Sequence, residues 1–460
     1  MQTNSIATPL TRAITRAITH SLTCNLTDPG LGGGVPVERI APVGVTPPYG
    51  LQVFNSGGRT FTTNIDLAPP LTIGDPGVTT VYVDPVSGND ANPGTEVSPF
   101  KSIGKGVSAN VAADLIVMCK PGLYDADTCW GYLNSLAPTT QVVPWGTGDV
   151  ISSSHHASLS WTLESGATYS ATIVDASSVA DTSILTAAGD YSGLWPRTSQ
   201  ALVDANPGSF YVNGTTIYVQ TADSRAPDSS IRVYRSFGGS NGYIGHNYAQ
   251  TLYMENIKFH GGGTAFTPRQ ATSNVSTLLA RGCEFSHAGG NGLAAVGAWV
   301  IVLQECGANE NISDGFNYHE YTALTGQPQA IEIDCVARGN GKNAQGTNNG
   351  SSFHEAGANI VRVNGDYSDN QDYCIHDVGG SRSWNLGCTA RDTRTASGMN
   401  WVAGLPGETD GAKMWLDACT SSGSDYDLWT PNPLYSTIYT SELVSDGNNW
   451  PGSDIEAYTP

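Results

Sequence analysis

Charged side chains are scarce in this 460-residue chain, at 13%, and basic ones scarcer still. Lys and Arg total 21 against 41 Asp and Glu, a net charge of −20. A protein that grips nucleic acid or an anionic membrane needs a basic face, so both partner classes are excluded as expectations. No run of 18 apolar residues occurs, so no membrane-spanning helix is expected. The N-terminus lacks the apolar core of a signal peptide. Cys24, in HSLTCNL, is a poor lipid-anchor candidate for the same reason. No CxxC or Cys/His spacing marks a zinc module, and no cofactor motif was found. The nine cysteines are an odd number, which argues against a closed disulfide framework. Free thiols and folding in a reducing cytoplasm are expected, with Cys119–Cys129 the one conceivable pair.

Glycine is abundant (54 residues), with Asn, Asp, Ser and Thr, and a short phrase keeps returning. It reads SDGFNYHEY at 313–321, NGSSFHEAG at 349–357 and QDYCIHDVG at 371–379, with weaker copies at 291–299, 396–404 and 423–431. Each is followed by a second phrase, such as IVLQECGANEN or IEIDCVARGNG. Aligning the second phrases puts Ile257, Cys283, Cys306, Cys335, Gly365, Cys388 and Ala418 in one column. Alternation over five or six residues, ending in Gly, Asn, Asp or Ser, signals strand and turn. A variable period in the twenties is one coil of a parallel β-helix, which must stack on its neighbours to bury its apolar face. The expected class is therefore all-β, a right-handed parallel β-helix, with the cysteines filling an inner ladder.

Alternation assigns faces. Phe316, Ser351, Tyr373 and Met399 form one inward column; Tyr318, Phe353, Ile375 and Trp401 form another. Asn317, Ser352, Cys374 and Asn400 point outward, as do His319, His354, His376 and Val402. Three histidines are thus expected to stack about 4.8 Å apart on successive coils, each followed by an acid: Glu320, Glu355 and Asp377. This constellation is the candidate catalytic site. Paired carboxylates suit glycoside hydrolysis, a His beside an acid suits β-elimination, and a polar ladder that only stabilises the coils is equally open. Three histidines in a straight row suit a tetrahedral ion poorly, so no metal is expected. Asn317, Ser352, Arg362, Trp415 and Trp429 are the candidate substrate-binding residues. Glu332 and Asp334 are placed outward beside Arg362, Asp314 and the NDANPG turn (89–94) read as turn formers, and Trp401 reads as core.

Residues 1–75 form an arm too poor in apolar residues for a core of its own, read either as docking on something or as a disordered tail. VYVDPVSGNDANPGTEVSPFKSI (81–103) then resembles the N-terminal entry of the pectate-lyase-like β-helix superfamily. That resemblance implies a capping helix at about 102–113 and a first coil strand in DLIVMCKPGLY (114–124). Residues 131–235 break the rhythm, and a strand–Asn-Gly–strand pattern at 208–234 marks a hairpin. They are read as a lateral β insertion in a helix domain spanning 76–460. The whole pattern resembles bacteriophage tailspikes. The resemblance implies a homotrimer on the virion, made in the host cytoplasm and acting outside it. It also implies attachment to virion proteins through residues 1–75, and binding or cleavage of a bacterial surface polysaccharide. A free polysaccharide lyase or hydrolase, and a non-catalytic fibre, are the alternatives.

Overall fold

A computed structural model of the chain describes residues 36–460 except 134–135, 157, 237–239, 247, 322–325, 343–347 and 356. Cys24 and the first part of the expected arm lie outside the described residues. The chain is a parallel β-solenoid of about 12 turns. One face is a twelve-stranded sheet running from Val78–Val83 to Ile455–Ala457, with strands paired in parallel throughout. A second face is a nine-stranded sheet from Gly131–Leu133 to Tyr426–Trp429. The third face comprises a four- and a five-stranded sheet, joined by parallel bridges from Glu284 through Gly307 to Val336.

A repeated corner sets the stacking. After each strand of the twelve-stranded sheet from Thr251–Glu255 to Thr437–Ser441 the chain turns through one residue of positive φ: Asn256, Gly282, Glu305, Asp334, Asn364, Gly387, Ala418 and Glu442. The next residue points inward, and Cys283, Cys306, Cys335, Cys388 and Cys419 form a buried column there. Cys419 rather than Ala418 completes the column, because Leu386 pairs with Asp417. All eight described cysteines are free and buried, Cys119 and Cys129 among them. At the next corner Asn311, Asn340 and Asn370 stack, each amide hydrogen-bonded to the next at 2.9–3.0 Å and fully buried. Nothing in the sequence reading singled out this ladder, although its spacing of 29 and 30 residues follows the coil period.

The helix at the solenoid's N-terminal end spans Ile103–Val107, shorter than the expected 102–113. Ser102 caps it, and Gly104, Gly106 and Ser108 are weak helix formers. Its Ile103 and Val107 enter the main core. Residues 139–144 and 150–153, read as part of an insertion, instead supply strands to the twelve-stranded and third-face sheets. The segment Thr162–Arg235 forms two separate sheets with their own core around Ile217, Val219 and Val233. Its hairpin pairs Ser209–Asn213 with Thr216–Gln220.

Residues 36–72 lie along the outer surface of the twelve-stranded sheet as a strap. Arg39 pairs with Asp417 at 3.4 Å, and Arg59 donates to the Glu442 carbonyl at 3.2 Å. The Asn364 amide reaches the Phe61 carbonyl at 2.9 Å. Further along, the Leu67 and Leu71 amides donate to Gln304 at 2.9 Å and Gln141 at 3.0 Å. The strap's Leu51, Val53, Phe61 and Leu67 form a second core with Val302, Ile331, Val361, Trp384 and Trp415.

That cover explains an inversion. On the 329–333 and 359–363 strands the apolar Ile331, Ile333, Val361 and Val363 face out under the strap, while Glu332 and Arg362 face the solenoid interior. Arg362, fully buried, makes a forked contact to Asp377 at 2.8 Å on both oxygens and lies 3.7 Å from Glu332. Tyr318 and Ser351 donate to Glu332 at 2.8 and 3.0 Å, and Tyr367 donates to its other oxygen. The two carboxylates raise the Arg362 pKa against the burial that opposes it. Arg362→Ala would leave two buried carboxylates facing each other, so a loss of about 3–5 kcal/mol is expected. Hydrogen exchange of the 349–353 and 373–377 strands reads it; a loss under about 1 kcal/mol would show that the network is not an ion-paired one.

Candidate functional site

Register decides which expected site residues meet. Along the nine-stranded sheet Asn317 pairs with Ser352, Ser352 with His376, and Phe353 with Asp377. His376 is therefore two residues out of line with His354. Its ring is buried, 4.9 Å from Tyr373 edge-on, with Nε2 3.2 Å from the Gly404 carbonyl. Asp377 belongs to the Tyr318–Phe353 column, which points inside, so it is corrected from catalytic candidate to interior partner of Arg362. Arg362 is corrected likewise, from sugar contact to core ion pair, as is Glu332, which faces in. Trp415 does face out, but it is only 6% exposed, stacked on Tyr439 at 4.9 Å beneath the strap, and closed to a ligand. Tyr373 points outward rather than inward, as its ring contacts with His376 and Trp429 require.

Of the remaining candidates, His319, His354 and Glu355 converge, while Glu320 reaches this cluster through its backbone N–H alone. The His319 and His354 rings stack at 3.8 Å, 27° apart. Glu355 Oε1 lies 3.2 Å from His319 Nδ1, and its Oε2 accepts the Glu320 backbone N–H at 2.8 Å. Glu355 takes φ +76, a left-handed conformation that turns its carboxylate back over the preceding coil. The coil beyond must approach closely to hold it: a Cβ on Gly379 would come within 2.7 Å of the Glu355 nitrogen. Asn317 and Ser352 have the expected outward phase but are buried, and they belong to a hydrogen-bonded chain. Ser352 Oγ lies 2.9 Å from His354 Nε2 and 3.3 Å from Asp314 Oδ2. Asp314 also accepts from Asn317 at 2.7 Å and from the Asn349 N–H at 2.7 Å. It is more than a turn former: burial outweighs these donors and pushes its carboxyl up to about 6. Burial first, and His319 second, lower His354 to about 2, so its ring is neutral at any physiological pH.

His354 and Glu355 open onto a shallow groove of about 450 Å³, closed on the far side by Val378, Gly379 and the 405–408 loop. Glu408, which the sequence reading did not single out, lines this groove and is held by the Gly379 and Leu405 N–H groups. Beyond it the outward surface turns aromatic. Tyr373 lies 6.1 Å from Trp429, Trp429 5.6 Å from Trp450, and Trp450 4.6 Å from Tyr426. All four rings are partly exposed. At the other end Arg269 stacks over Tyr321 at 4.4 Å, one coil beyond Val296, which pairs with His319. Among the described residues, His319, His354 and Glu355 bring donor atoms all within 4.8 Å of one another. Asp90 in the NDANPG turn spends its carboxylate on the Lys101 and Ser102 N–H groups and the Ser102 hydroxyl.

Residues 86–132 match the family model described as a protein of unknown function, DUF1565. No curated protein matches the sequence. The chain is similar in fold to solved structures. One titled "Glycoside hydrolase" has 10% identity and a TM-score of 0.46, covering 82% of this chain and 97% of its own. A pectate lyase, Pel9A, has 12% identity and a TM-score of 0.40, covering 83% and 75%. The tailspike protein gp49 of Pseudomonas phage LKA1 has 11% identity and a TM-score of 0.23, covering 78% and 71%.

Buried, neutral histidines make the structure acid-sensitive. Burial lowers His376 to about 4, whereas an unfolded histidine titrates near about 6.5. Between those values the unfolded chain binds more protons, so stability falls as pH falls, by up to about 3 kcal/mol for this ring. His376→Asn, which keeps a donor for Gly404, is expected to flatten the dependence of Tm on pH between 7 and 4. An unchanged slope would show that His376 does not stay neutral in the fold.

Proposed function

We propose that the chain binds a linear polysaccharide along the outer face of its nine-stranded sheet. The observation that carries this reading is the continuous row on that face. It runs from His319, His354 and Glu355, across the groove with Glu408, to Tyr373, Trp429, Tyr426 and Trp450. Flat, partly exposed rings stack on the apolar faces of sugars, while carboxylates and imidazoles take up hydroxyl groups. The repeat spacing of about 4.8 Å per coil presents these groups as a line rather than a pocket, the form a chain-like ligand needs. The acidic balance of the chain favours a neutral glycan.

In the finer reading the chain is a tailspike-like virion protein, a homotrimer that recognises a bacterial surface polysaccharide, with a right-handed coil sense. The 103–107 helix is its cap, and the Thr162–Arg235 sheets are a lateral insertion. Virion attachment is assigned to the arm of residues 1–75, of which 36–72 form the strap. The eight cysteines among the described residues are free, which suits assembly in a reducing host cytoplasm. If the chain also cleaves its glycan, Glu355 and Glu408 on the shared groove are the carboxylates available for it.

Binding to a panel of bacterial capsular and O-antigen polysaccharides tests the reading, with light scattering on the same sample for subunit number. Trp429→Ala is expected to weaken binding of the recognised glycan at least about tenfold, equal to about 1.4 kcal/mol. Trp415→Phe, under the strap, is expected to leave binding unchanged. A glycan bound equally well by the Trp429 variant would place the site elsewhere.

A further inference from the structure

The register that removes His376 from the histidine row leaves a different set of donors. Two imidazoles and one carboxylate meet at the rim of the groove, with nitrogen and oxygen atoms within 4.8 Å of one another. We propose that His319, His354 and Glu355 bind one divalent transition-metal ion of the Zn²⁺ class, with an open coordination position facing the groove.

The donor chemistry selects the ion. Imidazole nitrogen suits Zn²⁺, Ni²⁺ and Cu²⁺ and is a poor ligand for Ca²⁺ or Mg²⁺. Three protein ligands of the His₂-carboxylate kind leave a fourth position free for water or a ligand hydroxyl. With metal–ligand bonds of about 2.0–2.1 Å, tetrahedral donors sit about 3.4 Å apart. The widest pair must therefore close by up to about 1.4 Å, and the two stacked rings must turn so that their lone pairs converge. Rotation about imidazole χ2 is a soft torsion, and both rings are only partly buried.

The surroundings fit a ligand set better than a chance meeting of side chains. Metal-bound histidines ordinarily have the other ring nitrogen fixed by a hydrogen bond that leads to a carboxylate or carbonyl. His354 has that arrangement, with Nε2 on Ser352 Oγ and Ser352 on the buried Asp314. Glu355 is placed by a left-handed backbone at φ +76 and lies outside the corner series of the twelve-stranded sheet. Strain of this sort costs about 1–3 kcal/mol and persists where the surroundings enforce it. Here Gly379 leaves the space for it. Exposure is also right: the site opens on the groove rather than on the closed interior.

The test uses the full chain, stripped with chelator and dialysed, in the absence of any glycan. Calorimetric titration with Zn²⁺ is expected to show one ion per chain with Kd about 1 µM or tighter. Co²⁺ in its place is expected to give the visible absorption of a low-symmetry, four- or five-coordinate site. His319→Ala and His354→Ala should each weaken binding at least tenfold. Glu355→Gln, a conservative change on a partly exposed side chain, should do the same if either alanine variant fails to fold. No saturable binding up to about 1 mM Zn²⁺, or binding that survives Glu355→Gln and His319→Ala unchanged, overturns the site. Because no glycan is present, either result leaves the polysaccharide reading standing or falling on its own test.

Discussion

Every coil must present the same side chains to the inside as the coil beneath it, and the left-handed corner residue enforces this. One residue at positive φ after each strand of the twelve-stranded sheet from Thr251–Glu255 to Thr437–Ser441 fixes where that strand ends and which residue first turns inward. The buried thiols of Cys283, Cys306, Cys335, Cys388 and Cys419 record that phase. So does the asparagine ladder at the next corner, which satisfies amides and carbonyls that water cannot reach. The site inherits its geometry from these corners. His319 and His354 stack because their coils are in register, and His376 misses them because the next coil enters its strand two residues differently.

The solenoid was legible because its repeating phrases carry strand alternation and turn residues at a period too variable for helices. The cysteine column was legible for the same reason, save for the slip from Cys419 to Ala418. Face assignment failed where a second layer covers the sheet. Alternation identifies the buried face only when the other face meets water. With the strap in place Ile331, Ile333, Val361 and Val363 are as buried outside as Ala330 and Ile360 are inside. Nothing local then revealed that Glu332 and Arg362 point inward. The histidine row misled for a related reason. Three His-acid pairs align by letter, but stacking follows the interior residues Ser351, Ile375 and Trp401, whose spacing differs from that of the histidines.

The same register shift has opposite consequences on the two sides of one strand. It moves Asp377 inward to neutralise Arg362 and leaves His376 outward in the place of Ser352. The buried group of Glu332, Arg362 and Asp377, with Tyr318, Tyr367 and Ser351 around it, lies on the inner side of the strands that carry His319, His354 and Glu355 on their outer side. An interior that tolerates only one pairing of charges holds those strands to one alignment, and the outer rim is fixed with them.

The strap gives the chain a direction in time. Residues 39 and 59 contact Asp417 and Glu442, partners nearly four hundred positions later in the sequence. A ribosome releases the strap well before the coils that anchor it. Throughout synthesis, then, the apolar outer faces of Ile331, Val361 and Trp384 emerge before the strap can close over them along its full length. Formation of the coils around Asp417 and Glu442 is thereby coupled to burial of the strap, and a chain cut short before them lacks the anchor that holds it.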